Sequence, residues 1–277
     1  MRLAVSNLAW DPALVPDARM LAMLARGGAS GVEVAPTRLA PWNEITPSRL
    51  QGFRDACRGE GLSVSSLQAI FYGCTGMALL AGDAEFASMR EQVRRLAGIA
   101  TGLGAPVAVF GAPAYRSRGA LTLSAATDLA SDRLWQLAEL AGAGGVVLGL
   151  EPVPAVYGAD FLERAGEVIG MVSRVGHPGL RVHLDTACVA LAGDDPVAAI
   201  AAAGPLLAHY HMSEPRLGGF AAPVLDHAAV ARALDEAGYT GWVVIEMLAA
   251  GAACEDDVAT ALAFAAAVGG RRSACRS

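Results

Sequence analysis

The feature that most constrains the fold is an eightfold alternation between short apolar segments and longer helical segments. The apolar segments are nearly unbroken runs of aliphatic residues, which is typical of parallel strands covered on both faces. They lie at Leu3–Ser6, Gly31–Ala35, Leu62–Gln68, Pro106–Phe110, Val146–Glu151, Leu180–Asp185, Leu206–His211 and Trp242–Glu246. The predicted helices lie between them at about 16–27, 47–60, 83–102, 122–142, 160–175, 194–203, 226–237 and 253–268.

Eight strands that alternate with eight helices predict a (β/α)₈ TIM barrel, and an open doubly wound sheet is the alternative layout. The 277 residues suit one barrel domain over 1–277, since no linker or low-complexity tract divides the chain. Residues 269–277 are expected to form a frayed basic tail. Asp160 is predicted to cap the fifth helix.

The composition excludes several classes of protein. All 21 basic residues are Arg, and the chain contains no Lys. Schiff-base aldolases, pyridoxal-phosphate enzymes and Walker-type nucleotidases each need a lysine. The net charge of −6, with scattered Arg, argues against nucleic-acid binding.

The cysteine pattern and the apolar segments indicate in which cellular compartment the protein is expected. Five Cys without a CxxC pair indicate a reducing compartment rather than a disulfide framework. The uncharged run from Leu96 to Tyr115 is long enough for a membrane span, but its glycines and prolines predict a helix end, a strand and turns instead. We therefore expect a soluble cytoplasmic protein without membrane partners.

Four consecutive strands in the second half each end on a side chain that can bind a metal. The segments VVLGLEP, RVHLDT, AHYHMSE and VVIEM provide Glu151, Asp185, His211 and Glu246. Chemistry in a TIM barrel sits at the carboxyl ends of the strands, and alternation predicts that the four side chains form one ring in the barrel mouth. Two Glu, one Asp and one His suit Mn²⁺, Mg²⁺ or Co²⁺ better than a structural zinc site.

His183 and His209 precede two of these residues by two positions and are expected one layer deeper. A core position with a satisfied hydrogen bond is the favoured interpretation. The alternative is that either histidine orients a metal ligand.

The motifs LEP, LDT, HMSE and IEM make the chain similar to the sugar isomerase/epimerase group of the xylose isomerase-like barrel superfamily, which contains the D-tagatose and D-psicose 3-epimerases. The similarity extends from SNLAW to about Phe264. It implies one divalent metal held by Glu151, Asp185, His211 and Glu246, with the two glutamates as acid/base groups. It also implies a homodimer or homotetramer.

The chemistry of such a site is proton transfer next to a carbonyl. A metal that chelates the carbonyl and a neighbouring hydroxyl stabilises the enediolate. One carboxylate removes the proton and another returns it on the opposite face, which epimerises the carbon; return to the adjacent carbon gives isomerisation instead. The residues leave both outcomes open, with a sugar, keto-sugar or cyclitol as substrate.

The chain also departs from the resembled group. Cys188 stands where that group has a substrate-binding His, so the pocket is expected to be less polar there, and free D-tagatose or D-fructose should be poor substrates. The side chains predicted to contact substrate are Arg216, Glu214, Cys188, Gln68, Tyr157 and Trp10.

Two alternatives remain beside this hypothesis, and a third is excluded. An inosose or keto-cyclitol dehydratase or isomerase would use the same metal site. A catalytically silent barrel that binds a sugar or a partner protein would not need metal. An endonuclease of the same superfamily needs extra histidines for a three-zinc cluster, and Gln68, Phe110 and Cys188 stand where such ligands would be required.

Overall fold

The computed structural model describes residues 2–270 and contains a closed barrel of eight parallel strands that follow one another in chain order. The predicted (β/α)₈ TIM barrel is therefore confirmed, and the open-sheet alternative is wrong. The strands are β1 Arg2–Ser6, β2 Gly31–Val34, β3 Ser63–Leu67, β4 Val107–Phe110, β5 Val147–Leu150, β6 Leu180–Asp185, β7 Leu207–Ser213 and β8 Trp242–Glu246. They are short and almost wholly buried, as a strand packed between barrel interior and helices must be.

Helices surround the barrel and cover the outward face of each strand. They are α1 Asp17–Arg26, α2 Pro47–Gly59, α3 Asp83–Leu103, α4 Leu123–Gly142, α5 Ala165–Val175, α6 Thr186–Leu191, α7 Pro196–Ala203, α8 His227–Glu236 and α9 Cys254–Gly270. Side chains cap three of them, since Thr46, Thr122 and Asp226 each accept a backbone N–H from the first turn of α2, α4 and α8. The short helix α6 was not predicted, because six residues are too few to show helical periodicity.

Two predictions about the ends of helices are corrected. Asp160 does not cap α5, which begins five residues later; its carboxylate accepts hydrogen bonds from Ser117 Oγ and the backbone N–H groups of Arg118 and Gly119. The predicted tail begins too early, because Gly269 and Gly270 belong to α9. The rest of that tail, 271–277, lies outside the described residues.

The uncharged run near the middle of the chain is divided as predicted. Helix α3 ends at Leu103, where Gly104 adopts the left-handed conformation with a φ of 76°, and β4 follows after a short turn. No helix within residues 2–270 is both long and apolar enough to cross a membrane.

Strand register determines which side chains meet at the mouth of the barrel. Asp185 on β6 pairs with His211 on β7, whereas Glu246 on β8 pairs with Ser213, two residues beyond His211. The four predicted ligands therefore do not share one register row. Because barrel strands are tilted, residues from different rows still meet in the interior.

Candidate metal centre

Asp185 is the central residue of the candidate site. It ends β6 and is the N-cap of α6, where its Oδ1 accepts the backbone N–H of Cys188 at 2.7 Å. Its Oδ2 is buried and has no hydrogen-bond partner among the described residues. The ion pair with His211 Nδ1, at 4.0 Å, is too long for a hydrogen bond, and a buried carboxylate oxygen without a close partner is costly, so this atom indicates a missing ligand.

His211 and Glu246 lie on one side of Asp185. The Nδ1 atom of His211 is 3.0 Å from Glu246 Oε2 and 4.0 Å from Asp185 Oδ2. Ligand atoms of these three residues all lie within 4.8 Å of one another. The arrangement gives two carboxylates and one imidazole nitrogen that face a common point.

Glu151 lies on the other side of Asp185, directly after β5. With Asp185 and Cys188 it forms a second group whose ligand atoms lie within 4.8 Å of one another. Its carboxylate packs against the backbone of Gly111, where a Cβ atom would come within 2.2 Å of Oε2. Glycine at position 111 therefore makes room for Glu151, and Asp185 joins the two groups into one site.

The carboxylates are crowded enough to shift their proton affinities. Burial, followed by the charges of Asp185 and Glu246, raises the pKa of Glu151 to about 8. Burial and Glu246 also raise the pKa of Asp185. Burial alone would lower the pKa of His211, but Glu33 and Glu246 outweigh it and raise that pKa well above its usual value. These carboxyl groups repel one another when they are all ionised, and a bound cation would balance their negative charge.

Glu33 is the main functional candidate that the sequence did not single out. It lies inside the barrel on β2, fully buried, and accepts hydrogen bonds from His211 Nε2 at 3.0 Å and His209 Nε2 at 3.1 Å. Ser66 and Gln68 also donate to it, at 2.7 and 2.8 Å. By binding Nε2, it leaves Nδ1 of His211 facing the carboxylates, which is how outer carboxylates orient metal-binding histidines.

The two deeper histidines differ in their contacts. His209 donates from Nε2 to Glu33, which fits the predicted core position, while its Nδ1 has no hydrogen-bond partner among the described residues. Both ring nitrogens of His183 lack hydrogen-bond partners in the part of the chain that the structure describes. Burial, with His211 and His209 nearby, lowers the pKa of His183 well below its usual value, so its ring is neutral. Its Nε2 is 3.7 Å from Glu151 Oε1, and ligand atoms of His183, His209 and His211 also lie within 4.8 Å of one another.

Arg116 is a second residue that the sequence did not indicate. It follows β4 and is fully buried, with Nη2 3.4 Å from the Leu162 carbonyl oxygen. Burial lowers the pKa of Arg116 to about 10, and the charges of Glu151 and Cys188 oppose that shift. A buried guanidinium near Glu151 leaves no short-range sequence pattern, so only the fold brings the two together.

A cavity of about 260 Å³ opens beside the candidate centre. Its polar lining comes from Gln68, Glu151, His211 and Glu246, and its apolar lining includes Phe71 and Tyr115. The size suits a small polyhydroxylated molecule, and such sites combine an apolar wall with a few convergent polar groups. Of the six predicted substrate contacts, Gln68 is the one that lines this cavity.

Tyr157 and Arg216 meet at the carboxyl ends of the strands but outside this cavity. The backbone N–H of Arg216 donates to Tyr157 Oη at 2.9 Å, and both side chains are exposed. Arg216 adopts a φ of 61°, in the left-handed region. The pair therefore joins the loops after β5 and β7.

Two predicted substrate contacts have other roles in the structure. Trp10 is fully buried in the core, and its indole N–H donates to Asp17 at 2.8 Å. Glu214 is buried, and its two carboxylate oxygens accept hydrogen bonds from the backbone of Val224 and Leu225 and from His227 Nε2. Neither residue lines the cavity beside the candidate centre.

The chain is similar to known proteins in sequence family and in structure. Residues 21–267 match the family model described as Xylose isomerase-like TIM barrel. No curated protein matches the chain significantly.

Solved structures of similar fold cover almost the whole chain. D-psicose 3-epimerase with D-tagatose from Clostridium cellulolyticum H10 has a TM-score of 0.81 at 18% identity, covering 97% of this chain and 99% of that one. L-ribulose 3-epimerase has a TM-score of 0.81 at 20% identity, with 99% and 96% covered. The probable 3-DHS dehydratase from Bacillus anthracis has a TM-score of 0.77 at 13% identity, with 96% and 98% covered.

Proposed function

Because the chain belongs to the Xylose isomerase-like TIM barrel family, we propose that it is a divalent-metal-dependent sugar isomerase or epimerase that moves a proton next to a carbonyl. The observation that carries this proposal is the unpartnered, buried Oδ2 of Asp185 at the junction of the two ligand groups. Similar folds occur in a D-psicose 3-epimerase and an L-ribulose 3-epimerase, which supports a sugar as the proposed substrate.

The donor set fits one divalent cation. Glu151, Asp185, His211 and Glu246 would hold it, since three carboxylates and one imidazole suit the hard cations Mg²⁺ and Mn²⁺ and also the borderline cation Co²⁺. When bound, the cation supplies positive charge that stabilises the oxygen atoms of an enediolate.

The two glutamates are proposed to carry the proton. Both line the cavity, so both can reach a carbon atom of a substrate bound there. In the metal-free protein, burial and the charges of Asp185 and Glu246 raise the pKa of Glu151, whereas Glu246 is paired with His211, so the two carboxyl groups lie in different surroundings. One carboxyl that donates and one that accepts are what epimerisation needs.

The walls of the cavity are proposed to position the substrate and exclude water. The ring of Phe71 packs against Phe110 and Tyr115, with centroids 5.1 and 5.5 Å apart, so it presents a fixed apolar surface. The Gln68 amide donates to Ser6 and Glu33, which fixes the side chain at the cavity edge. A sugar can lay its C–H face on such a ring while its hydroxyl groups meet the polar side.

These contacts support a class of substrate and a type of reaction. A keto-sugar or cyclitol with an exchangeable proton beside its carbonyl is the proposed substrate. Cytoplasmic location and a homodimer or homotetramer remain predictions.

A dehydratase is the second candidate. The fold is similar to that of a probable 3-DHS dehydratase. Dehydration begins with the same proton abstraction and then expels a hydroxyl group, so the same residues could serve it. The products distinguish the two reactions. A dehydratase gives a product that has lost water, whereas an isomerase or epimerase gives a product with the same formula as the substrate.

Metal analysis tests the proposal directly. We expect one divalent ion per chain after reconstitution with Mn²⁺, its removal by EDTA, and activity on keto-sugars only with metal. Asp185→Asn should lose the ion while it keeps the helix cap, since an Asn oxygen can still accept the Cys188 N–H. The control variant Asp226→Asn alters another N-cap aspartate and should still bind the metal ion.

Other results contradict the proposal. A folded protein that binds no metal would indicate a silent sugar-binding barrel. Two or three ions per chain would indicate that the histidine group deeper in the barrel also binds metal.

A further inference from the structure

Cys188 lies next to two of the proposed metal ligands. Its Sγ, one Glu151 oxygen and one Asp185 oxygen all lie within 4.8 Å of one another. The first turn of α6 places it there, because the Cys188 N–H is tied to Asp185 Oδ1 at 2.7 Å. The thiol is therefore held beside two proposed ligands by the same helix start that fixes Asp185.

The neighbouring oxygen atoms are independent evidence that a ligand is missing at this point. Asp185 Oδ2 is buried and lacks a hydrogen-bond partner within residues 2–270. Metal–sulfur and metal–oxygen bonds of about 2.3 and 2.1 Å place pairs of ligands roughly 3–4.5 Å apart. The 4.8 Å limit on the three distances lies just above that range, so a common cation would draw the three atoms slightly closer together.

We propose that Cys188 is a fifth ligand of the metal centre, through its sulfur atom. This inference depends on the metal site of the proposed function and goes beyond it, because it adds a soft donor to a set that is otherwise oxygen and nitrogen. When the sulfur binds, the S–H bond breaks, the proton passes to solvent and the sulfur lone pair is donated to the cation.

The consequence is a change in metal preference. Thiolate ligands favour Zn²⁺ and Co²⁺, whereas Mg²⁺ and Mn²⁺ prefer oxygen donors. A Cys188 ligand should therefore shift the site towards Zn²⁺ and Co²⁺ and away from the hard ions that its carboxylates alone would favour. Removal of the sulfur should lower the ratio of Zn²⁺ to Mn²⁺ affinity by at least about tenfold.

Cobalt spectroscopy on the full chain tests the proposal without any substrate. Metal-free wild type, Cys188→Ser, Cys188→Ala and Cys74→Ser are each titrated with Co²⁺ alone. Visible d–d bands report Co²⁺ in the site, and a near-ultraviolet sulfur-to-cobalt charge-transfer band reports a thiolate ligand. Cys74 is the matched control, since it is also partly buried but is absent from the groups of possible ligands.

We expect both sets of bands in wild type and in Cys74→Ser. Both Cys188 variants should keep the visible bands, lose the near-ultraviolet band and show the lowered Zn²⁺ to Mn²⁺ affinity ratio. Two substitutions of different polarity keep the test valid if one of them folds poorly.

Two outcomes overturn the proposal, and they are distinguishable. Visible bands without a charge-transfer band in wild type would show that Co²⁺ binds without Cys188, and the proposed function would stand. The absence of all bands from folded wild type would remove the metal site itself, and with it both the proposed function and the fifth ligand.

Discussion

Replacement of Glu33 by Gln is expected to weaken metal binding at a centre that Glu33 does not itself join. Glu33 Oε2 accepts from the Nε2 atoms of His211 and His209 and from Ser66 Oγ, while Oε1 accepts from Gln68. The two histidines outweigh the effect of burial and hold the pKa of Glu33 well below its usual value, so the side chain is ionised. Gln preserves its shape and removes its charge.

The size of the effect follows from the bond to His211. A hydrogen bond to a charged group contributes about 1.5–3 kcal/mol, and a neutral one about 0.5–1.5 kcal/mol. The substitution therefore weakens the hydrogen bond that holds His211 in place by about 1–2 kcal/mol, which corresponds to about a five- to thirtyfold loss of metal affinity. Loss of an outer carboxylate that orients a metal-binding histidine typically has effects of that order.

Calorimetric titration of Mn²⁺ or Co²⁺ into the metal-free protein measures this loss. Glu139→Gln is the control, because Glu139 on the outer helix α4 also pairs with a histidine, His177, and neither residue lines the cavity beside the centre. It should leave the affinity unchanged. Wild-type affinity in a folded Glu33→Gln variant would refute the argument that Glu33 orients His211.

Three further predictions concern the same site. His211→Ala should weaken metal binding far more than His209→Ala in the same titration, and equal losses would show that the register has been misinterpreted. The folded pKa of Glu151, about 8, lies above its unfolded value, so the stability that it contributes is present at low pH and is lost as pH rises towards 8. In EDTA, wild type should therefore lose thermal stability relative to Glu151→Gln as pH rises from about 5 to 8; a difference between the two that does not change with pH would contradict the assignment. Turnover of free D-tagatose and D-fructose should be weak or absent in a sugar assay, because Cys188 offers no hydroxyl-binding imidazole, and robust turnover would contradict that.

The second half of the barrel was predictable because its strands carry their chemistry at their ends. Each apolar run is short, and each ends on one polar residue, so Glu151, Asp185, His211 and Glu246 could be placed at one mouth. Their exact layer could not, since strand pairing set Glu246 opposite Ser213 rather than His211. Shear between barrel strands leaves no mark in a single sequence.

The residues that the sequence missed are those whose partners are distant along the chain. Glu33 is 178 positions from His211, and within β2 it is an acidic residue in a buried strand without a motif. Arg116 follows β4 in a loop and approaches Glu151 only when the barrel closes. Conversely, Trp10 and Glu214 carry side chains that often bind substrate, yet local hydrogen bonds to Asp17 and His227 place them in the framework.

Turnover in D₂O tests the central claim, proton transfer between two carboxylates, most directly. With metal-loaded protein and a confirmed keto-sugar substrate, the account predicts solvent deuterium at the inverted carbon of an epimerised product, since one glutamate removes the proton and the other returns one from solvent. Isomerisation by a single carboxylate would give partial incorporation. Glu151→Gln and Glu246→Gln should each abolish turnover. Product free of deuterium from active enzyme would contradict proton transfer and require a hydride shift instead.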